Sequence, residues 1–551
     1  MTESSGNERA AASGQGKVVS AEAAASLIGD GDTVFVAGSG SGHGVPERML
    51  KAIAERFSQT ARPRDLTVMS VVGIGDRNGG SGGLDRLSQP GLLRRVISGG
   101  FGACPELARR AIANEIETYT LPQGVLSHLC RESAGGRSGL ITKVGLNTFV
   151  DPRLQGGLQG GRPSETLVEL IQAGGEEFLR FKAIPIDVAL IRATTADERG
   201  NLSTEEEAYA GEILSAAMAA RRAGGLVVAQ VKRLAAADSL RGRDVRVPAS
   251  LVDYIVVDEE QRQTYRTLMN PAYAGTIRQP EASVAPLPFD TRKVIARRAA
   301  LELFPHAIVN LGFGVSNGIA NVAAEEQVYR YVTLTVEQGI VGGIPASGSD
   351  AGTGVNYDAM IEQAYQFDFY DGGGLDMAFL SFAEVDAEGN VNVSRYGAAV
   401  NGPGGFINIS QGTRKVVFAG NLTAGGSSVE LEAGKLKIVR EGRSRKWVPK
   451  VEQITFSGRR AVERGQDIMY VTERAVFRLE PDGITLVEIA PGIDLDRDVL
   501  AQIGFPIKVS SALRTMDARI FDVGLMGLRE DSAWADLRAA PRTKRNQGTC
   551  A

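Results

Sequence analysis

The chain has 551 residues, 43% of them hydrophobic and 23% charged, with a formal net charge of −4 and a pI near 5.8. These values argue against a nucleic-acid-binding surface and fit a globular protein of roughly two to four domains, with cores large enough to need no disulfides. No apolar run approaches the ~20 residues that span a bilayer, and the polar opening stretch lacks the apolar segment of a signal peptide. The expectation is therefore a cytoplasmic protein with no membrane partner. The three cysteines (Cys104, Cys130 and Cys550) show no metal-ligand spacing and read as reduced thiols. The three histidines (His43, His128 and His306) are scattered, so neither a zinc site nor a histidine triad is expected.

In chain order, residues 1–16 read as a disordered tail. A strand over 32–40 (DTVFVAGSG) ends in the glycine loop Gly38–Gly44, where His43 reads as a loop hydrogen-bonder. A second strand covers 66–73 (LTVMSVVG). Cys130, in SHLCRES, reads as a helix-packing residue. A strand and turn occupy 187–201 (DVALIRATTADERGN), followed by a helical pattern from Ala210 to Arg222. The stretch 276–290 (TIRQPEASVAPLPFD) is rich in proline and polar residues and reads as a linker.

The same order then begins again. HAIVNLGFG (306–314) resembles 32–40, with Gly38 facing Gly312 at an offset of 274. VTLTVEQG (332–339) resembles 66–73 at an offset of 266, and this sets Val71 opposite Glu337. DMAFLSFAEVDAEGN (376–390) resembles 187–201 at an offset of 189, pairing Asp187 with Asp376 and Asp197 with Asp386. The falling offsets place extra sequence in the first half, around residues 75–180. Apolar strands alternating with helical patterns imply two related open α/β domains with mainly parallel sheets. The expected division is an N-terminal domain over 17–280, a linker over 281–292, a C-terminal domain over 293–530 and a disordered tail over 531–551.

Glu337 is the most informative residue. It ends a β-branched run and opens Glu-x-Gly-x-x-Gly (337–342). A buried, unpaired carboxylate costs several kcal/mol, so a residue of this kind is a hydrogen-bonded turn glutamate or a functional group. The glycines are read as letting the backbone pass close to a ligand. Open α/β sheets bind ligands beyond the C-terminal ends of their strands, where Gly38–Gly44, Gly312–Gly314 and Glu337 all fall. A site between the two domains is expected.

The other glycine loops are less specific. Neither GSGSGHG (38–44) nor GFGVSNG (312–318) fits the dinucleotide fingerprint, so a nicotinamide enzyme is weakly supported. NGPGGFINIS (401–410) supplies closely spaced N–H groups, read either as an oxyanion hole or as a tight turn at Gly402-Pro403. KLKIVREGRSRKWVPK (435–450) reads as a hairpin turning at Glu441-Gly442, either a solvated face or a positive rim for an anionic cofactor.

Four passages together resemble the family I coenzyme A transferases, in particular the bacterial propionate/acetate group. They are VEQGIVGGIP (336–345), NLGFGVSNGIA (310–320), LPQGVLSHLCRESAGGRSGLITKVGLNTFVDPR (121–153) and LVEIAPGIDLDRDVL (486–500), and the likeness runs from about Lys17 to Leu528. It implies two related α/β domains of the CoA-transferase/sugar-isomerase-like type. It implies Glu337 as the catalytic glutamate, with Asn310 and Gln123 at family positions of the site. Gly312, Phe313, Gly314, Val315, Ser316, Val400, Gly404 and Gly405 would face coenzyme A, and the Gly404 N–H is the foremost oxyanion donor. Coenzyme A would be a co-substrate, with no tightly bound cofactor. The implied substrates are acyl-CoA and short-chain acids (acetate, propionate, butyrate, lactate), and a homo-oligomer (dimer or tetramer) is expected. One departure stands out: Val71-Val72 replaces the paired asparagines of the animal ketoacid branch, which argues against a ketoacid substrate.

Residue chemistry and resemblance point to ping-pong covalent catalysis through a glutamyl-CoA thioester on Glu337. Three alternatives compete with it: an acyl-CoA hydrolase on the same scaffold, a metabolite-sensing binding protein on a sugar-isomerase-like fold, and a nicotinamide dehydrogenase. The second has no use for a carboxylate at a strand end.

Overall fold

The computed structural model describes residues 16–76, 82–280 and 286–535. The expected N-terminal tail up to residue 15, the C-terminal tail from residue 536, residues 281–285 of the linker and Cys550 lie outside the described residues.

Two ten-stranded sheets form the molecule, one from residues 33–257 and the other from 308–515. Each contains a run of five neighbouring parallel strands. In the first sheet their spatial order is Leu66–Met69, Thr33–Val36, Val188–Asp197, Leu226–Ala235 and Tyr254–Val257. In the second it is Thr333–Val336, Ile308–Leu311, Met377–Ser381, Lys415–Ala419 and Asp467–Val471. The order matches strand for strand. These runs are apolar and β-branched because both faces of a parallel sheet are covered.

The correspondence extends to single hydrogen bonds. The Asp187 carboxylate accepts from the Thr33 N–H at 2.8 Å, and Asp376 accepts from the Ile308 N–H at 2.9 Å. In the turns that follow, Asn201 Nδ2 donates to Asp197 at 2.9 Å and Asn390 Nδ2 to Asp386 at 3.1 Å. One expected pairing shifts by a residue. The Ala37 N–H donates to Leu190 O, and the Gly312 N–H donates to Phe379 O. Ala37, not Gly38, is therefore the counterpart of Gly312, and the offset there is 275. The backbone ladder decides this, and the shared Gly-x-Gly letters do not.

The halves differ at their edges, where antiparallel strands join both sheets. Past Leu66–Met69 the first sheet adds the parallel strands Leu93–Ser98 and Glu117–Thr120. These and the helix Gln123–Ala134 account for extra sequence in the first half. Past Thr333–Val336 the second sheet instead folds back through Ile340–Val341.

The basic 435–450 segment is not a hairpin turning at Glu441-Gly442. Strand Lys435–Arg440 pairs backwards with Ser428–Glu432. The two-residue turn is Ala433-Gly434, both with positive φ (48° and 72°), the conformation a tight hairpin loop requires. Glu441 is drawn inward to Arg474, 2.7 Å away.

Candidate active site

Glu337 follows directly on strand Thr333–Val336 and is buried, with 5% of its surface exposed. The glycines after it serve the turn, not a ligand. Gly339 and Gly342 have φ of 104° and 80°, and added Cβ atoms would lie 2.0 Å from Ile361 O and 2.3 Å from Asp358 Oδ2. The motif's spacing therefore records a hairpin packed against 358–361, which turns the chain back immediately after the carboxylate.

A cavity of about 460 Å³ opens over Glu337 between the two halves. The second half lines it with Gly312, Phe313, Glu337, Gln338, Phe382 and the 401–406 loop. The first half contributes Gly99, Gly100, Gly102 and Gln123. The halves meet closely here: a Cβ on Gly100 would stand 1.9 Å from Asn401 O, and the Phe101 N–H donates to that same oxygen at 3.0 Å.

The helix Gln123–Ala134 crosses to the second half. The Gln123 N–H donates to Gly404 O at 2.8 Å, and its Nε2 donates to Gln363 Oε1 at 3.1 Å. The Gly124 N–H donates to Asn408 Oδ1 at 3.1 Å. Farther along, His128 Nε2 stands 2.9 Å from Asp368 Oδ1. Burial opposes the imidazolium, but the Asp368 carboxylate prevails and raises the His128 pKa, while His128 and Arg131 hold Asp368 down at about 2.

Of the residues expected at the site, Glu337, Gln123, Gly312, Phe313, Gly404 and Gly405 line the cavity. Asn310 lies beneath it, fully buried, with Nδ2 3.3 Å from the Tyr370 hydroxyl. Tyr370 is held above the usual phenol range by burial, with the Glu337 charge adding to the effect. Gly314, Val315, Ser316 and Val400 do not line the cavity. Val315 and Ser316 belong to the turn Gly314–Asn317, where Ser316 Oγ lies 3.4 Å from Ser381 Oγ. Val400 packs into a core of the first half.

The oxyanion expectation also changes. The Gly404 N–H donates to Gly99 O at 2.8 Å and is committed to joining the halves. Gly405 is the residue against the glutamate: a Cβ there would stand 3.4 Å from Glu337 Cγ. Gly405 also caps the helix Phe406–Gly412, with no side chain bonded at that cap.

Sequence reasoning missed the Gly99–Gly102 loop, Gln338 and Phe382. The signal for the first was present in SGGFG, directly after the strand Leu93–Ser98. Several buried polar atoms have no hydrogen-bond partner among the described residues, including Asn310 Oδ1, Gln338 Oε1, Gln363 Nε2, His43 Nδ1 and Thr353 Oγ1. Gln338 Nε2 reaches Ser39 Oγ at 3.3 Å, and a Cβ added at Gly352 would lie 3.3 Å from the His43 ring and 3.7 Å from Gln338 Cδ. His43 Nε2 lies 3.3 Å from Ala351 O, and burial pulls the ring's pKa down to about 4, so it is neutral. Of these residues Gln338 alone lines the cavity. Among the described residues no cluster of metal-binding side chains occurs, and no helix is long and apolar enough to cross a membrane.

A family model described as coenzyme A transferase matches residues 18–258. Caffeate CoA-transferase of Acetobacterium woodii is 45% identical over 520 residues, 93% of this chain and 98% of that protein. Acetate CoA-transferase YdiF of Escherichia coli K12 is 41% identical over 515 residues, 93% of this chain and 97% of that protein. The chain belongs to the coenzyme A transferase family. The crystal structure of the O157:H7 YdiF acyl-CoA transferase, described as a thioester complex with CoA, superposes with a TM-score of 0.89 at 41% identity. It covers 94% of this transferase and 98% of that chain. The transferase thus shares fold and family with enzymes that move coenzyme A, and coenzyme A is its co-substrate.

Proposed function

We propose that this transferase moves coenzyme A between an acyl-CoA and a short-chain carboxylic acid, in ping-pong fashion, through a thioester on Glu337. The observation that carries the reading is a buried carboxylate at a strand end, facing a glycine-lined cavity between two halves, where the repeat has Val71 at the equivalent place.

A Glu337 carboxylate oxygen attacks the thioester carbonyl, and the carbon–sulfur bond breaks to give an acyl-glutamyl anhydride and CoA thiolate. The thiolate attacks the glutamyl carbonyl and displaces the first acid as its carboxylate. Glutamyl-CoA remains. A second carboxylate reverses the steps and leaves as the new acyl-CoA. Glutamate suits this work because it is both nucleophile and acyl carrier. The cap of helix Phe406–Gly412 at Gly405 supports placing the oxyanion there instead of at Gly404. Losing such a donor costs about 3–4 kcal/mol. The small exposure of Glu337 supports exclusion of water from the anhydride. Gln123, anchored to Gly404 and Gln363, orients the incoming acid.

The division of the chain into two domains at 280–290, and assembly into a homo-oligomer, belong to the same proposal. The test is a panel of acceptors (acetate, propionate, butyrate, lactate and caffeate) assayed with acetyl-CoA and propionyl-CoA. Initial rates should depend on the acceptor and give parallel double-reciprocal lines. CoA release at one rate whatever the acceptor would establish the hydrolase instead. A preference for caffeate would move the substrate class to aromatic acids.

A further inference from the structure

Lys446 is a cation at a ligand-binding edge without a counter-ion. Its Nζ sits 3.8 Å from the centroid of the Phe382 ring. It has no hydrogen bond or ion pair from its side chain among the described residues. Glu473 is the acidic group whose charge acts on it. The Glu473 oxygens are taken up by Arg474 Nε at 2.7 Å and the Leu422 N–H at 2.9 Å. Burial lowers the Lys446 pKa to about 7.

The backbone around Lys446 is fixed. The Val385 N–H donates to Lys446 O at 2.8 Å, and the Val448 N–H donates to Val385 O at 2.9 Å. Trp447 is fully buried, its ring 4.3 Å from that of Phe477. Gly420 leaves room for the amine, since a Cβ there would lie 2.9 Å from Nζ. The sequence thus holds a long cationic side chain in place with nothing of its own to neutralise.

Its location gives this meaning. Along the C-terminal edge of the second sheet, Glu337, Gly312, Phe382 and Gly420 end or follow four adjacent strands. The first three line the cavity, and Lys446 Nζ lies against both the Phe382 ring and Gly420. Three strand spacings separate the strand of Glu337 from that of Gly420, roughly 14 Å at about 4.8 Å each. That is about the reach of an extended pantetheine arm. In the same basic segment, Arg440 and Arg443 are exposed and bonded through Nε to the carbonyls of Gly426 and Gly425.

We propose that Lys446 binds a phosphate of the coenzyme A handle while the sulfur end of the arm lies at Glu337. The inference rests on the transferase reading for the identity of the ligand. An anion is the group that offsets an unpaired, partly buried ammonium best. The acid's own carboxylate reacts at Glu337, so the phosphates are the anions available at this distance.

Two measurements on Lys446→Met test it. Calorimetric titration with CoA should show at least a tenfold weaker dissociation constant than in the unaltered chain. Loading of Glu337, followed by intact mass, should slow with sub-saturating acetyl-CoA and keep its unaltered rate with S-acetylpantetheine, which carries no phosphate. Unchanged CoA affinity overturns the inference, as does equal slowing with both donors, which marks a structural role. An unaltered chain that binds CoA tightly but never loads would refute the transferase mechanism and leave the Lys446 assignment to the titration.

Discussion

Glu337 and Lys446 are the two residues on which the proposals turn, and each can be tested singly. Glu337→Ala should reduce transfer by more than about 10⁴-fold, as removal of a covalent nucleophile does. It should not lower the melting temperature, because the repeat accommodates valine at the equivalent position. Unfolding of the variant, seen by circular dichroism, would give Glu337 a structural role. Lys446 makes a signed pH statement. Its pKa in the folded chain, about 7, lies below the ordinary value of about 10.4. Folding therefore carries the burden of a charged amine below pH 7, and the burden fades towards pH 10. In the ligand-free protein, Lys446→Met should raise the melting temperature at pH 6 and change it little at pH 10. A difference that stays constant across this range would contradict the account.

At the scale of elements, the helix Gln123–Ala134 couples the halves and carries Gln123 to the site. A methyl group on Gly124 would lie 2.5 Å from Asn408 Nδ2 and 2.7 Å from the Phe367 ring. Gly124→Ala should cost about 1–3 kcal/mol, read from the urea midpoint, by forcing the helix off its seat. Transfer should fall with it, because Gln123 moves too. The His128–Asp368 pair on the same seam titrates. The histidine's contribution is complete below its ordinary pKa of about 6.5 and is lost as pH rises through its raised value in the folded chain. That of Asp368 is complete above the ordinary aspartate value and is lost as pH falls towards 2. Asp368 is half exposed, so the pair is worth at most about 1 kcal/mol. His128→Gln should therefore lower the melting temperature more at pH 6 than at pH 8.5. Equal losses at both would remove the ion pair from the account.

For the whole molecule, the repeat was the part most legible in sequence. Each strand is a short apolar run closed by a turn, and the Asp-x-x-Gly-Asn turns at 197 and 386 survive because their carboxylates tie down backbone N–H groups. Glu337 was legible for the same reason: the repeat supplies its own comparison at Val71. Less was legible wherever a residue's role depends on the other half of the chain. The Gly404 N–H is engaged by Gly99, a partner some 300 residues away that no local pattern announces. Glycines 339 and 342 looked ligand-facing, yet they face Ile361 and Asp358, the residues on either side of a strand only two residues long, Ala359–Met360. Val400 sits in a glycine-rich stretch but points into the first half's core. Lys446 drew notice as one of seven basic residues, and only the fold separates it from its exposed neighbours.

The central claim is that Glu337 carries coenzyme A covalently. Acetyl-CoA-treated protein, digested and mapped by mass spectrometry, tests it most directly. The account requires a CoA adduct on the peptide containing Glu337, lost on addition of an acceptor acid with release of its CoA ester. An enzyme that turns over with no adduct, or with the adduct on another residue, would contradict it.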